Sequence, residues 1–508
     1  MNSWTQGYVA DIGYTHGYYR EMSPALMAFA LLERRVVAPG AEQPLAYCEL
    51  GCGQGVTANL IAAANPQIEV HANDFNPAHI AGAQRLAAEA GTPNVRFYEH
   101  SFQEFIDVPG LPQFDMICLH GIYSWVDAVN RTAIAEFLRR KLKPGGVAYV
   151  SYNTQPGWAA AAPLRHLIHL HASQASGSTP NRLQGALAFA RGIADAKGIY
   201  FRANPAAAQR LDRIQTEDPN YVAHEYLNGC WQPFAFSEVE SDMGEAKLEF
   251  AASATLLDHV DVINLSPEQQ QLMGGIANTT LRETTRDLLV GQAFRRDLYV
   301  KGRIDIPEVV AQGQWARTRI VLLCRAADVP RKVQAPLGEA TLHEDIYGPL
   351  LAQLESGPRA IRELLGVREI AEHGWLKLRQ AIQILLGLGH VDICVEGAAG
   401  ANRAERVRAF NRAVLARAPY SAELRVLASP LTGGAVGVDR LHQLFLYADS
   451  QRTEPATFAI KALLAQNQRL LRDGKLLEDD AEHTAEMERR HRDFRELRLP
   501  VLQRLGVV

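Results

Sequence analysis

Residues 45–64 constrain the fold more than any other stretch of the chain. Leu45-Ala46-Tyr47-Cys48-Glu49-Leu50 is a short apolar run, Gly51-Cys52-Gly53-Gln54-Gly55 sets glycines at alternate positions, and Val56–Ala64 continues as an apolar helix. A turn this poor in side chains lets a ligand lie against bare backbone. The helix N-terminus beyond it offers unpaired N–H groups and the positive end of the helix dipole. Together they make a nucleotide-type cradle.

Strands and helices alternate from there to residue 151. Candidate strands at 45–50, 68–73, 95–98, 114–119 and 147–152 are separated by helical patterns at 56–64, 77–90 and 128–142, with a weak turn at 102–106. Asn76-Pro77 marks a helix start, and Pro144-Gly145-Gly146 marks a stop. This order implies right-handed βαβ units and an α/β fold with a parallel, Rossmann-like sheet. Residues 156–230 lose the rhythm and read as a helical insertion. A β-type pattern returns at 247–254, then a long helical pattern over 267–291 leads into 294–302, so 232–302 is expected to complete the sheet. Beyond 302, prolines 307, 330 and 336 space a linker-like stretch. Residues 346–396 follow a winged-helix-like order, and the rest is mainly helical, ending in a charge-dense run at 478–498 that reads as a solvated face. The expected units are 1–155, 156–302 and 303–508.

Composition narrows the class. A chain of 508 residues exceeds a single core, and 47% hydrophobic with 21% charged residues is ordinary for a globular protein. A net charge of −4 gives no global electrostatic case for nucleic acid or an anionic membrane. The six cysteines are scattered singly, the pattern of reduced thiols in a cytoplasmic protein. Residues 1–20 show no signal-peptide pattern, and the apolar run 24–32 is too short to span a membrane. A cytoplasmic protein with no metal and no membrane insertion is expected; a homodimer is compatible with the sequence.

The glycine turn departs from a dinucleotide fingerprint. The third glycine falls at Gly55, one residue early, and Glu49 stands two residues before the first glycine. A carboxylate there would repel a pyrophosphate but suits a ligand carrying an ammonium group. Asp74, ending the second strand, is placed to accept from both hydroxyls of a ribose. This constellation resembles the class I S-adenosylmethionine-dependent methyltransferases. The resemblance implies that Glu49, Gly51, Cys52, Gly53 and Gly55 hold the methionine moiety and ribose of S-adenosylmethionine, with Asp74, Phe75 and Asn76 at the ribose. It implies Ser101 and Phe102 near the adenine, Leu119 and His120 near the methyl, and S-adenosylhomocysteine as product.

A narrower resemblance is carried by Tyr14-x3-Tyr18-Tyr19-x3-Ser23-Pro24, Asp74-Phe75-Asn76-Pro77-x-His79-Ile80, Leu119–Trp125 and Ser151-Tyr152-Asn153-Thr154-Gln155-Pro156-Gly157-Trp158. Tyr226-Leu227-Asn228, Arg282-Glu283 and residues 294–302 extend it. These look like bacterial class I methyltransferases with a methyltransferase regulatory domain, similar to those that methylate lysines of outer-membrane proteins. The place after the fourth strand lacks the Asn/Asp-Pro-Pro-Tyr/Phe of base-amine methylases, which argues against a nucleic-acid substrate. The expected acceptor is a lysine side chain of a protein. A free lysine has a pKa near 10.4, so losing its proton at pH 7 costs about 4.6 kcal/mol. An apolar aromatic slot lowers that cost by desolvation. Tyr14, Tyr18, Tyr19, Tyr123, Trp125, Tyr152 and Trp158 are candidate walls, with His120 or Asn153 accepting a hydrogen bond from the amine. A small-molecule N- or O-methyltransferase and a cofactor-sensing regulator remain the alternatives. Arg295-Arg296-Asp297 reads as a structural ion pair, and His166, His169 and His171 lack the carboxylate or cysteine spacing of a metal site.

Overall fold

The computed structural model describes residues 8–9, 11–40, 44–396 and 400–508; Trp4 lies outside the described residues. Seven strands form the central sheet: β1 (Leu45–Leu50), β2 (Ile68–Asp74), β3 (Val95–Glu99), β4 (Phe114–Leu119), β5 (Leu142–Asn153), β6 (Glu249–Ser253) and β7 (Phe294–Val300). Their order is β3-β2-β1-β4-β5-β7-β6. Pairings from β3 to β5 are parallel, and β7 runs antiparallel between β5 and β6. Parallel neighbours require crossovers, supplied after α1 (Pro24–Glu33) by α2 (Val56–Ala64), α3 (Pro77–Ala90), α4 (Phe102–Ile106) and α5 (Ala128–Lys141). The strand order reverses between β1 and β4, so the loops after β1, β2 and β4 open onto one crevice.

Between β5 and β6 the chain makes a helical excursion through Ala162–Gln174, Thr179–Asp195, Pro205–Ile214 and Pro219–Leu227. Leu164, Ile168, Leu183, Leu211 and Val222 give it an apolar core that also takes in Val9. The sequence pattern and the structure differ at two places here. The helix expected over 267–291 is broken into Pro267–Gly274 and Thr279–Val290, because Asn278 caps a new helix by accepting from the Leu281 N–H. β5 begins at Leu142 rather than 147, running on through the proline-glycine turn with Gly145 at φ +79°.

Beyond β7, the strand Arg319–Leu322 pairs antiparallel with both Arg359–Ala360 and Val391–Ile393. The winged-helix-like segment thus takes its central strand from upstream of residue 346. Its core runs on into that of the sheet: Trp315, Leu350 and Ile382 cluster with Phe29, Val70 and Val147. Farther along, Val407 and Phe410 cover Val56, Leu60 and Leu86 on α2 and α3. The charge-dense run forms the helix Asp480–Asp493, which exposes most of its charges but buries His483 and Met487. Among the described residues no helix is long and apolar enough to cross a membrane, and no three His, Cys, Asp or Glu side chains gather as a metal site.

Candidate active site

The crevice at the ends of β1, β2 and β4 is a deep cavity. The glycine turn forms its floor. Gly51 and Gly53 line it with φ of +68° and +52°, values that carry a low cost only without a Cβ. A Cβ on Gly51 would come 2.3 Å from Ile122 Cδ1, and one on Gly53 would stand 3.7 Å from the Tyr14 ring. Gly55 is different. It is absent from the wall, and a Cβ there would meet Ala83 at 2.5 Å and Phe97 at 2.8 Å. Gly55 lets α2 pack against the next strand and helix.

Glu49 and Asp74 both face the cavity. Asp74 Oδ2 accepts from the Gly53 N–H at 2.9 Å, and Oδ1 accepts from the Asn76 N–H at 2.9 Å. His79 Nδ1 lies 3.2 Å from Oδ1. The carboxylate is locked, and these three contacts leave one lone-pair site, on Oδ2, for a hydroxyl. Glu49 Oε2 is buried with no partner. Burial pushes its carboxyl up to about 8, against a hydrogen bond from the Ala58 backbone that pulls it down; the Asp74 charge adds to the rise. A buried carboxyl with one unpartnered oxygen beside a side-chain-free turn fits a cationic amino-acid end, and Asp74 fits a ribose hydroxyl. The chain's own residues therefore suit S-adenosylmethionine.

Cys52, Phe75, Ser101 and Phe102 also line the cavity, Ser101 through a capping box with Glu104 that fixes the start of α4. Asn76 does not. Its side chain caps α3 by accepting from the Ala78 N–H at 2.9 Å, so its contribution is to hold the loop. Leu119 is fully buried in the core on the α5 side of the sheet, while the next residue, His120, enters the cavity. His120 stacks on Tyr19 at 3.7 Å between ring centres, and its Nδ1 lies 2.8 Å from the Tyr149 hydroxyl. Burial, reinforced by the nearby Arg296 charge, pushes its pKa down to about 3, so the ring is neutral.

The expected acceptor walls divide. Tyr14, Tyr19 and Trp125 line the cavity, whereas Tyr123 and Tyr152 are buried in the core beside α5. Tyr18 points the other way, into the apolar cluster built with residues 407–507. Trp158 is buried in the helical excursion, with Trp231 at 4.7 Å and the Arg210 guanidinium 3.5 Å above its ring. Asn153 sits behind the cavity at the end of β5, its N–H donating to Ser124 Oγ at 2.9 Å. The reason is strand alternation and chain connectivity, neither of which local spacing reveals. The structure adds Tyr8, His79, Asn228 and Cys230 to the wall. Asn228 accepts from the Val9 N–H at 2.8 Å, tying the N-terminal segment to the helical excursion. The aromatic density of residues 8–19 was the available signal for Tyr8; for Cys230 there was none.

Comparisons with known proteins agree with this geometry. Residues 48–148 match the family described as methyltransferase domain, and residues 218–301 match the predicted methyltransferase regulatory domain. The chain is 39% identical over 505 residues to uncharacterized protein sll1526 of Synechocystis sp., covering 99% of this chain and 100% of the relative. It is 30% identical over 182 residues to uncharacterized protein RP028 of Rickettsia prowazekii, covering 35% of this chain and 71% of that protein. Among solved structures, PKMT2 from Rickettsia typhi in complex with AdoHcy is similar in fold, with a TM-score of 0.69 at 19% identity, over 95% of this chain and 98% of that one. The seven-stranded order, the ligand cradle and these matches converge: the chain belongs to the class I S-adenosylmethionine-dependent methyltransferases that carry a methyltransferase regulatory domain.

Proposed function

We propose that this methyltransferase acts on lysine side chains of a protein. The observation that carries the reading is the aromatic wall of the cavity, where Tyr14, Tyr19 and Trp125 stand beside the glycine turn together with a neutral His120. The bound cofactor supplies an electrophilic methyl group, and the chain's task is to deliver a neutral amine to it. Burial among rings and a neutral imidazole strips water from an entering ammonium and favours loss of its proton. The rings also hold the alkyl stem of a long amine, which a compact metabolite does not need.

Labelling a lysate with tritiated cofactor tests this directly. Counts are expected in the protein fraction, on lysine after hydrolysis; counts confined to small molecules would overturn the reading. Tyr14→Ala and Tyr19→Ala should each lower turnover at least tenfold with cofactor affinity reduced less than turnover. Tyr18 and Trp158 are poor probes of the acceptor, since both are packed away from the cavity.

Glu49 gives a pH signature. Its folded pKa near 8 lies above the ordinary value of 4.5, so its favourable contribution is complete below pH 4.5 and is lost as pH rises through 8. A ligand ammonium needs the ionised form. Affinity for S-adenosylhomocysteine is therefore expected to rise roughly tenfold per pH unit between pH 6 and 8. Calorimetric titration of Glu49→Gln should give a flat profile over that range; an unchanged slope would remove Glu49 from the ammonium site.

A further inference from the structure

The segment that closes the cavity has two working faces. Tyr14, Thr15, Gly17 and Tyr19 line the pocket. The residues between and after them face away, toward the C-terminal region. His16 Nε2 lies 3.8 Å from a Glu423 oxygen. Tyr18 packs into the C-terminal apolar cluster, its hydroxyl 2.5 Å from where a Cβ on Gly434 would stand. Arg20 donates from Nη1 to the Leu386 carbonyl at 2.6 Å and from Nη2 to the Val391 carbonyl at 3.2 Å and Asp392 Oδ1 at 3.4 Å. Residues 15, 17 and 19 against 16 and 18 follow the period-two alternation of an extended chain, which ends where Arg20 opens a short 3-10 helix, Arg20–Met22.

None of the described residues after 230 lines the cavity. We propose that Tyr18 and Arg20 are positioning residues for the cofactor site. They pin the outer edge of segment 14–20 to the C-terminal region, so that residues 303–508 govern cofactor binding without contributing a side chain to the pocket. The inner edge has only long backbone hydrogen bonds, the Tyr19 N–H to Thr57 Oγ1 at 3.3 Å and Thr57 Oγ1 to the Gly17 carbonyl at 3.4 Å, beside the ring contacts of Tyr19 with His120 and Tyr14 with His224. The outer edge, in contrast, holds a planar guanidinium by one short charge-assisted bond to the Leu386 carbonyl, with longer contacts to the Val391 carbonyl and the buried Asp392 carboxylate. An extended chain transmits such a hold, because moving residue 20 or 18 carries residue 19 with it. This inference rests on the methyltransferase assignment alone and does not depend on the acceptor.

The test uses the full-length protein and S-adenosylhomocysteine as probe. Arg20→Ala and Asp392→Asn should each weaken binding about tenfold, a change of about 1.4 kcal/mol. The double variant should bind about as weakly as either single one, because both cut the same tie. Arg20→Lys, keeping the charge but losing the fork, should recover part of the loss. Hydrogen exchange should rise in residues 14–20 and stay unchanged in β1 and β4. Wild-type affinity and exchange in folded variants would overturn the proposal. So would exchange that rises equally throughout the sheet, since the lost affinity would then reflect general loosening. Asp392→Asn is nearly isosteric and stands as the second probe should Arg20→Ala fail to fold.

Discussion

Asp74→Ala is expected to weaken binding of S-adenosylhomocysteine at least a hundredfold, the largest effect of any single change in the cavity. The loss has two sources. The first is the remaining acceptor site that faces the cavity and is placed for a hydroxyl. The second is local: the Gly53 and Asn76 N–H groups each lose a partner now 2.9 Å away. Leaving buried donors unpaired costs about 1–3 kcal/mol each, and the turn they hold would relax with them. Asp74→Asn keeps one acceptor oxygen, so an intermediate loss is expected. Calorimetry with a melting curve on the same sample separates binding from folding. Binding within threefold of wild type in Asp74→Ala would show that the ribose anchor lies elsewhere.

The largest effect on stability is expected at Arg295. This guanidinium is buried among three carboxylates, reaching Asp287 at 2.6 Å, Glu283 at 2.9 Å and Asp297 at 2.9 Å. Tyr152 donates to Asp297 at 2.6 Å, tying β5 to β7 through the same group. Burial already pushes Asp287 up to about 7, with Arg295 opposing the rise. Arg295→Ala leaves these acids without their counter-charge, and removing one partner from a buried ionic group costs about 3–5 kcal/mol. The sign with pH follows. In the variant the acids can fold only by taking up protons, so the destabilisation is greatest above pH 7 and shrinks as pH falls toward 5. Denaturant unfolding at pH 5, 6, 7 and 8 measures this. A pH-independent difference from wild type would mean that lost packing, not unpaired charge, is responsible.

Arg295 and Asp297 share one face of β7 while Arg296 turns to the other, where its charge acts on His120. The run of three residues was legible as a structural ion pair, because charges two apart on a strand lie on one side. Which acids complete the pair was not legible. Glu283 and Asp287 come from a helix whose start depends on the Asn278 cap, within a stretch that reads as one long helix by periodicity alone.

The same division runs through the site. Gly51, Gly53, Glu49 and Asp74 could be read in order because turn and strand end are local: glycine conformation and a short spacing place them whatever the rest of the chain does. Gly55 shares the motif but serves packing, since its neighbours Ala83 and Phe97 come from the next βα unit. Asn76 was drawn to its helix cap and Leu119 to the core by the same kind of local competition. Tyr14, Tyr18 and Trp158 looked alike as aromatic walls. Tertiary structure sends Tyr14 to the cavity, Tyr18 to the C-terminal region and Trp158 beneath the helical excursion.

Sequence by itself determined the alternating α/β order and the cofactor cradle, because both rest on short-range backbone preferences and spacing. Tertiary structure alone decided which aromatics line the cavity and which brace the segment that carries them. That choice depends on packing between residues hundreds of positions apart, such as Arg20 with Asp392, and no local pattern encodes such a contact.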